Sequence, residues 1–270
     1  MISMRKKIFI LLSAATILGL CGYAFGLKKS DSYSIDSSSQ KLTTSDSASI
    51  KTVLDFKGSI TSDNGDVPYL IHVTGDGVVV NAPNYQENWR YSRYMEILGT
   101  TSSSTFDISG YVPQESTDYI GMTSEKGKED WKILNHPTST CQDYLLSNLI
   151  EHMKKNGKQQ TTDAYSSTLD GEDLIELMNV TLDPCHEYNL NKFQWTQKNV
   201  PVTIILNSDG LPKELTADCK IIGQEVAELV ADKTGIRITV ESFTVHVTYD
   251  DYGRINSVDL PDALKGTTLF

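Results

Sequence analysis

Ile236, Ile238 and Val240 are apolar on one parity, whereas Phe243, Val245, Val247 and Tyr249 are apolar on the other. A strand keeps one parity per face, so a single strand from Ile236 to Tyr249 needs an insertion near Glu241-Ser242 to flip it. A β-bulge supplies the extra residue and also bends the strand, as barrels require. Two strands with a tight break between them fit the same residues.

The same period of two runs through much of the chain. Val53 to Ile60, Tyr69 to Thr74, Gly77 to Asn81, Arg90 to Leu98 and Thr105 to Val112 are rich in β-branched and aromatic residues and are separated by Asp, Asn, Gly and Ser. Asn64-Gly65 and Asp76-Gly77 read as hairpin turns, whose central positions need positive φ. Thr117 to Thr123 and Glu129 to Leu134, with Gly127 between, form another expected pair. The clearest hairpin runs from Val200 to Lys220. Val200, Val202, Ile204 and Leu206 alternate with Pro201, Thr203, Ile205 and Asn207, and a turn at Asp209-Gly210 pairs Ile204 with Leu215 and Val202 with Ala217. A last short strand is expected over Ile255 to Leu260, stopped by Pro261.

Two helices interrupt this pattern. Cys141 to Lys155 sets Cys141, Tyr144, Leu145, Leu149, Ile150, His152 and Met153 along one broad face, capped by Thr140 and closed by Asn156-Gly157. A shorter helix follows Asp170, with Leu174, Leu177 and Met178 as its apolar face. Ile221 to Asp232 fits a strand or a short helix equally. The order of elements predicts an α+β, mostly β fold: a strongly curved antiparallel sheet carrying its helices on one side.

Arg5, Lys6 and Lys7 precede an uncharged run from Ile8 to Leu27, which Lys28 and Lys29 close. This is the pattern of an export signal, and it is also about long enough to span a bilayer as a helix. Three fates fit: cleavage after Ala24-Phe25-Gly26, lipidation of Cys21 in Leu18-Gly19-Leu20-Cys21, or an uncleaved anchor with its basic end inside. Leu20 stands where lipoprotein processing prefers Gly or Ala. All three place the chain from about Ser30 outside the cytoplasmic membrane, at the cell surface or in a periplasm. The domain reading is therefore 1–29 as signal or anchor, 30–50 as a Ser-rich flexible tether, and 51–270 as one ectodomain.

Five of the 24 basic residues lie in that first segment, which has no acid, leaving 19 basic and 35 acidic residues and a net charge of −16 beyond it. Such a field repels phosphate backbones, so no nucleic-acid partner is expected. Export permits disulfides, and Cys141, Cys185 and Cys219 allow one pair and one thiol. Cys185 with Cys219 is the pair expected, because both flank the Val200 to Lys220 hairpin. A metal site on Cys185 and the adjacent His186 is disfavoured, since neighbouring residues rarely share one ion and no CxxC or HxxxH spacing exists.

No GxSxG elbow, HExxH helix, Walker loop or complete GxGxxG occurs, and nothing argues for an enzyme or a cofactor. Asp63-Asn64-Gly65-Asp66 and Asp209-Gly210 read as turns, because the downstream Glu of a calcium loop is missing. His72 and His246 sit between apolar neighbours in expected strands, so each should point out from the opposite face.

The export segment and tether, the strand Val53-Leu54-Asp55-Phe56-Lys57-Gly58, the strand Trp131-Lys132-Ile133, the Val202 to Lys220 hairpin and the ending Thr248-Tyr249-Asp250-Asp251-Tyr252-Gly253 to Leu260-Pro261 together resemble the bacterial lipoprotein-carrier superfamily, the LolA-like and LppX-like proteins. The resemblance spans about Lys51 to Pro261. It implies a half-open antiparallel barrel with helices on its concave side, sheltering an acyl chain or other amphipathic ligand between sheet and helices. The lining residues so implied are Tyr69, Ile71, Val78, Val80, Ile97, Val202, Ile204, Leu206, Val245 and Val247, with Leu145 and Leu149 as lid. The bland reading of the same residues is a closed core. A second function also fits: a surface protein-interaction module with a filled core, anchored by exposed Tyr85, Trp89, Tyr91 and Tyr94.

Overall fold

The computed structural model describes residues 35, 41–42, 45–62, 65–81, 84–114, 119–125, 132–134, 147–169, 174, 177–178, 181 and 199–265. The chain is mostly β, with one open antiparallel sheet. Among the described residues its strands are β1 (Ser47–Ser62), β2 (Gly65–Val80), β3 (Gln86–Ile97), β4 (Thr100–Tyr111), β5 (Ile120–Glu125), β6 (Lys132–Leu134), β7 (Lys158–Gln159), β8 (Ala164–Leu169), β9 (Val200–Leu206), β10 (Pro212–Asp218) and β11 (Arg237–Asp250). They lie side by side as β6-β5-β4-β3-β2-β1-β11-β10-β9-β8-β7. Two meanders, one from each half of the chain, thus join where the first strand pairs with the last. The described helices include α1 (Ser147–Asn156), α2 (Lys220–Thr234) and the short α3 (Asp262–Lys265).

The parity flip in the last long strand is a bulge. Lys57 opposes Ser242 and Gly58 opposes Val240, so Glu241 is the extra residue, and Val240 and Phe243 both reach the buried face. The β9–β10 hairpin pairs Ile204 with Leu215 and Val202 with Ala217, as the alternation requires. The remaining undecided segment is helical. In α2, Ile222, Gly223, Val226, Ala227 and Val230 form the buried stripe, while Ile221 and Leu229 are exposed and blur it. Asp218 Oδ1 accepts from the Lys220 N–H at the start, and Gly235 at φ 73° closes the end through a bond from its N–H to Ala231 O.

Four expectations change. The strand β2 is continuous, so Asp76-Gly77 is not a turn. Glycine serves there for close approach: a Cβ on Gly77 would overlap the Trp89 indole, and one on Gly75 would stand 2.6 Å from the Tyr91 ring. Continuity puts Val78 and Val80 on the face opposite Tyr69 and Ile71. The sheet also begins earlier than the expected tether boundary, because Ser47 to Ile50 belong to β1, with Ala48 and Ile50 buried against the core. Ile35 and Leu42 are helical and buried in the same core, so the Ser-rich stretch supplies apolar contacts. Finally, 255–260 is not a strand. It crosses the far side of the sheet, held by Ile255 N–H to Ser47 Oγ at 3.1 Å, Val258 N–H to Gln86 Oε1 at 3.0 Å, and Asn88 Nδ2 to Asp259 O at 3.1 Å.

No described helix is long and apolar enough to cross a membrane, and the Ile8 to Leu27 run lies outside the described residues. The close packing at β2 yields a direct test. Gly77→Ala should lower the unfolding free energy by about 1–3 kcal/mol, the cost of forcing extra volume into a filled site. The readout is a lower urea midpoint at unchanged slope.

Candidate ligand-binding face

The register sorts the side chains into two faces. One row crosses most of the sheet: Tyr165, Ile204, Leu215, Val247, Thr52, Gly75, Tyr91 and Phe106. Its neighbours carry Val202, Ala217, Val245, Leu54 and Val73, then Phe243, Phe56, Ile71 and Met95, then Val240, Gly58, Tyr69 and Ile97. This inner face is buried as one cluster with Leu149, Ile150 and Met153 of α1, with Leu174, Leu177 and Met178, and with the stripe of α2. Gly223 lets α2 approach closely, since a Cβ there would stand 3.1–3.2 Å from Phe243, Phe56 and Val240.

Tyr69, Ile71, Ile97, Val202, Ile204, Leu206, Val245 and Val247 therefore come together on the inner face, and Leu149 packs with them from α1. Val78 and Val80 do not. They face the other way because the expected Asp76-Gly77 turn is absent, and Val80 is buried beside Ser47 and Gln86, the two residues that hold the C-terminal segment. Leu145, Cys21, Cys141 and Cys185 lie outside the described residues. Cys219 is a free and fully buried thiol, so it is not in the expected pair with Cys185; burial, with the Asp218 carboxylate beside it, pushes its pKa well up.

Trp89 and Tyr91 are not exposed anchors. Both are 0% exposed, because they sit on the inner parity of β3 with their rings over Gly77 and Gly75. Trp89 stacks on Tyr91 at 5.5 Å and Tyr91 on Phe106 at 5.2 Å, with interplanar angles of 18° and 13°. Arg93 lies over the Phe106 ring at 5.9 Å. Of the aromatic set, Tyr94 alone is on the outer parity, donating to Glu96 at 3.3 Å, and Tyr85 packs at the margin of the core.

Two features of the inner face escape a reading of the sequence. Glu87 is fully buried, and the phenols of Tyr119 and Tyr85 both donate to its carboxylate, the latter at 3.0 Å. Those bonds offset the desolvation of an acid in the core. The oxygens of Thr52 and Tyr69 are also buried, and neither finds a hydrogen-bond partner among the described residues. The signal available for the first was the alternation Glu87, Trp89, Tyr91, Arg93, Met95 and Ile97, which places all six on one side.

The outer face is polar. His72 pairs with Asp55 and His246 with Glu214, each at 3.0 Å, so both histidines do point away from the core. Arg90 reaches Asp107 through two bonds of 2.7 and 3.2 Å, and that carboxylate holds the guanidinium still more firmly protonated. Arg90, Asp107, Val78 and the C-terminal segment border an open groove of about 530 Å³. Among the described residues no group of three or more His, Cys, Asp and Glu is placed to hold a metal ion.

Two outcomes follow from the inner face. Trp89→Ala should cost about 3–5 kcal/mol of stability, measured by denaturant unfolding, where an exposed anchor would cost little. Cys219 should resist alkylation at neutral pH until the chain unfolds, as peptide-resolved mass spectrometry would report. Its raised folded pKa also means that the native state keeps a proton the unfolded chain releases, so stability should fall as pH rises above the ordinary thiol pKa of about 8.5.

Compared with protein-family models, with curated proteins and with solved structures, the chain finds no match.

Proposed function

We propose that this chain is an exported, membrane-tethered binding protein that holds a lipid, lipoprotein or other amphipathic molecule between its sheet and its helices, as the resemblance to LolA-like and LppX-like carriers implies. In this reading the open sheet curls as a half-barrel, the helices lie on its concave side, and the N-terminal segment keeps the protein at the outer surface of the cytoplasmic membrane. The role is binding, without catalysis or a cofactor.

One observation carries the proposal: a single face, largely apolar, runs from Phe106 on β4 to Tyr165 on β8, and helices cover it through apolar side chains. Apolar contact is non-directional, so an acyl chain can replace helix side chains against such a face at little net cost. More than one apolar helix stripe covers this wide face, so a molecule that takes the place of helix side chains there needs hydrocarbon character.

A second reading, a surface protein-interaction module with a filled core, draws support from the outer groove between Arg90, Asp107 and the C-terminal segment. Vesicle uptake separates the two. The full chain, incubated with phosphatidylglycerol vesicles and re-isolated, should carry stoichiometric lipid. Recovery of lipid-free protein at all lipid concentrations would favour the interaction module instead.

A further inference from the structure

Tyr69 stands near one end of the inner face, opposite Ile97 at the close of β3 and Gly58 on β1. Its ring packs on Phe56, with centroids 4.8 Å apart and planes at 39°. A Cβ on Gly58 would stand 2.6 Å from the phenol oxygen, so the hydroxyl lies directly over bare backbone. The residue is 4% exposed, and among the described residues its oxygen has no hydrogen-bond partner. Phenylalanine would fill the same volume and bury no hydroxyl, which makes the phenol a cost to the fold rather than a gain.

The chemistry of that hydroxyl is restricted. Burial, and then the Glu241 carboxylate at the bulge, push its pKa far up, so it stays protonated and acts as a donor. What it fits is an acceptor. The side chains beside it on its face, Phe56, Ile71 and Ile97, are apolar, and the Thr239 carbonyl over Gly58 makes no hydrogen bond with it, so the acceptor that fits belongs to a molecule that is otherwise hydrocarbon. From Tyr69 the apolar rows continue inward along Ile71, Val73 and Val245, while the adjoining end of β11 carries the exposed Arg237, Thr239 and Glu241.

We propose that Tyr69 is the polar anchor of the inner face, donating from its phenol to the carbonyl of a fatty acyl group whose chain runs inward along the sheet. This inference rests on the container reading above and adds the orientation of the ligand, with its carbonyl at the Tyr69 end and its methyl end inward. Thr52, whose hydroxyl also finds no hydrogen-bond partner among the described residues, lies in the central row beneath Tyr91 and takes no part in this contact.

The test compares the full chain with its Tyr69→Phe variant, using palmitate labelled with ¹³C at the carboxyl carbon and hexadecane as a ligand without an acceptor. The expected result is an affinity for palmitate about tenfold lower in the variant, the worth of one hydrogen bond. Its labelled carbonyl band should move to higher frequency. Hexadecane should bind both proteins equally, and the unfolding midpoint of the variant should hold or rise. Unchanged palmitate affinity with an unshifted band would overturn the anchor while leaving the container reading intact. Equal losses for palmitate and hexadecane would also overturn it, because they would mark a packing defect. If neither ligand binds the unaltered chain, the anchor and the container reading fall together.

Discussion

Everything in this fold depends on the pairing of β1 with β11. Each half of the chain forms its own meander, and neither has a partner for its free edge except the other's. The pairing runs from Ser49 against Asp250 to Thr61 against Arg237, with one bulge at Glu241. An edge strand left open is a site for unwanted association, so bringing the first and last strands together removes the two longest edges at once. The bulge decides whether this works. Without the extra residue, Phe243, Val245 and Val247 would turn outward wherever Ile238 and Val240 faced the core.

The second constraint is room. The inner face stacks Trp89, Tyr91 and Phe106 where the facing positions on β2 are Gly75 and Gly77. Large rings over bare backbone fill the layer without overlap, and Gly58 beneath Tyr69 and Gly223 against Phe243 repeat the device elsewhere. The face thus combines bulk with close approach. Within it, the few polar atoms stand out: Glu87 is satisfied by two phenols, whereas Tyr69 is not satisfied by its described neighbours. The proposed anchoring role of Tyr69 rests on that contrast.

How much of this was legible depended on whether the signal was local. The β9–β10 pairing and the bulge at Glu241 were readable because alternation and a change of parity lie within a single stretch of chain. Asp76-Gly77 was misread because its glycine answers to Trp89, a residue on the next strand, and the sequence carries no sign of that ring overhead. Val78 and Val80 followed the false turn to the wrong face. Ile221 to Asp232 stayed undecided because Ile221 and Leu229 are exposed apolar residues that spoil a clean helical stripe. Trp89 and Tyr91 looked like surface anchors because they cluster with Tyr85 and Tyr94 in one short stretch. Strict alternation would have put them inside.

The central claim is that the inner face holds an acyl chain. Native mass spectrometry of the full chain, isolated from its host without detergent and followed by organic extraction, examines it most directly. The account predicts bound acyl lipid that leaves on denaturation and appears in the extract. A bare chain mass, with no acyl lipid extracted, would contradict it.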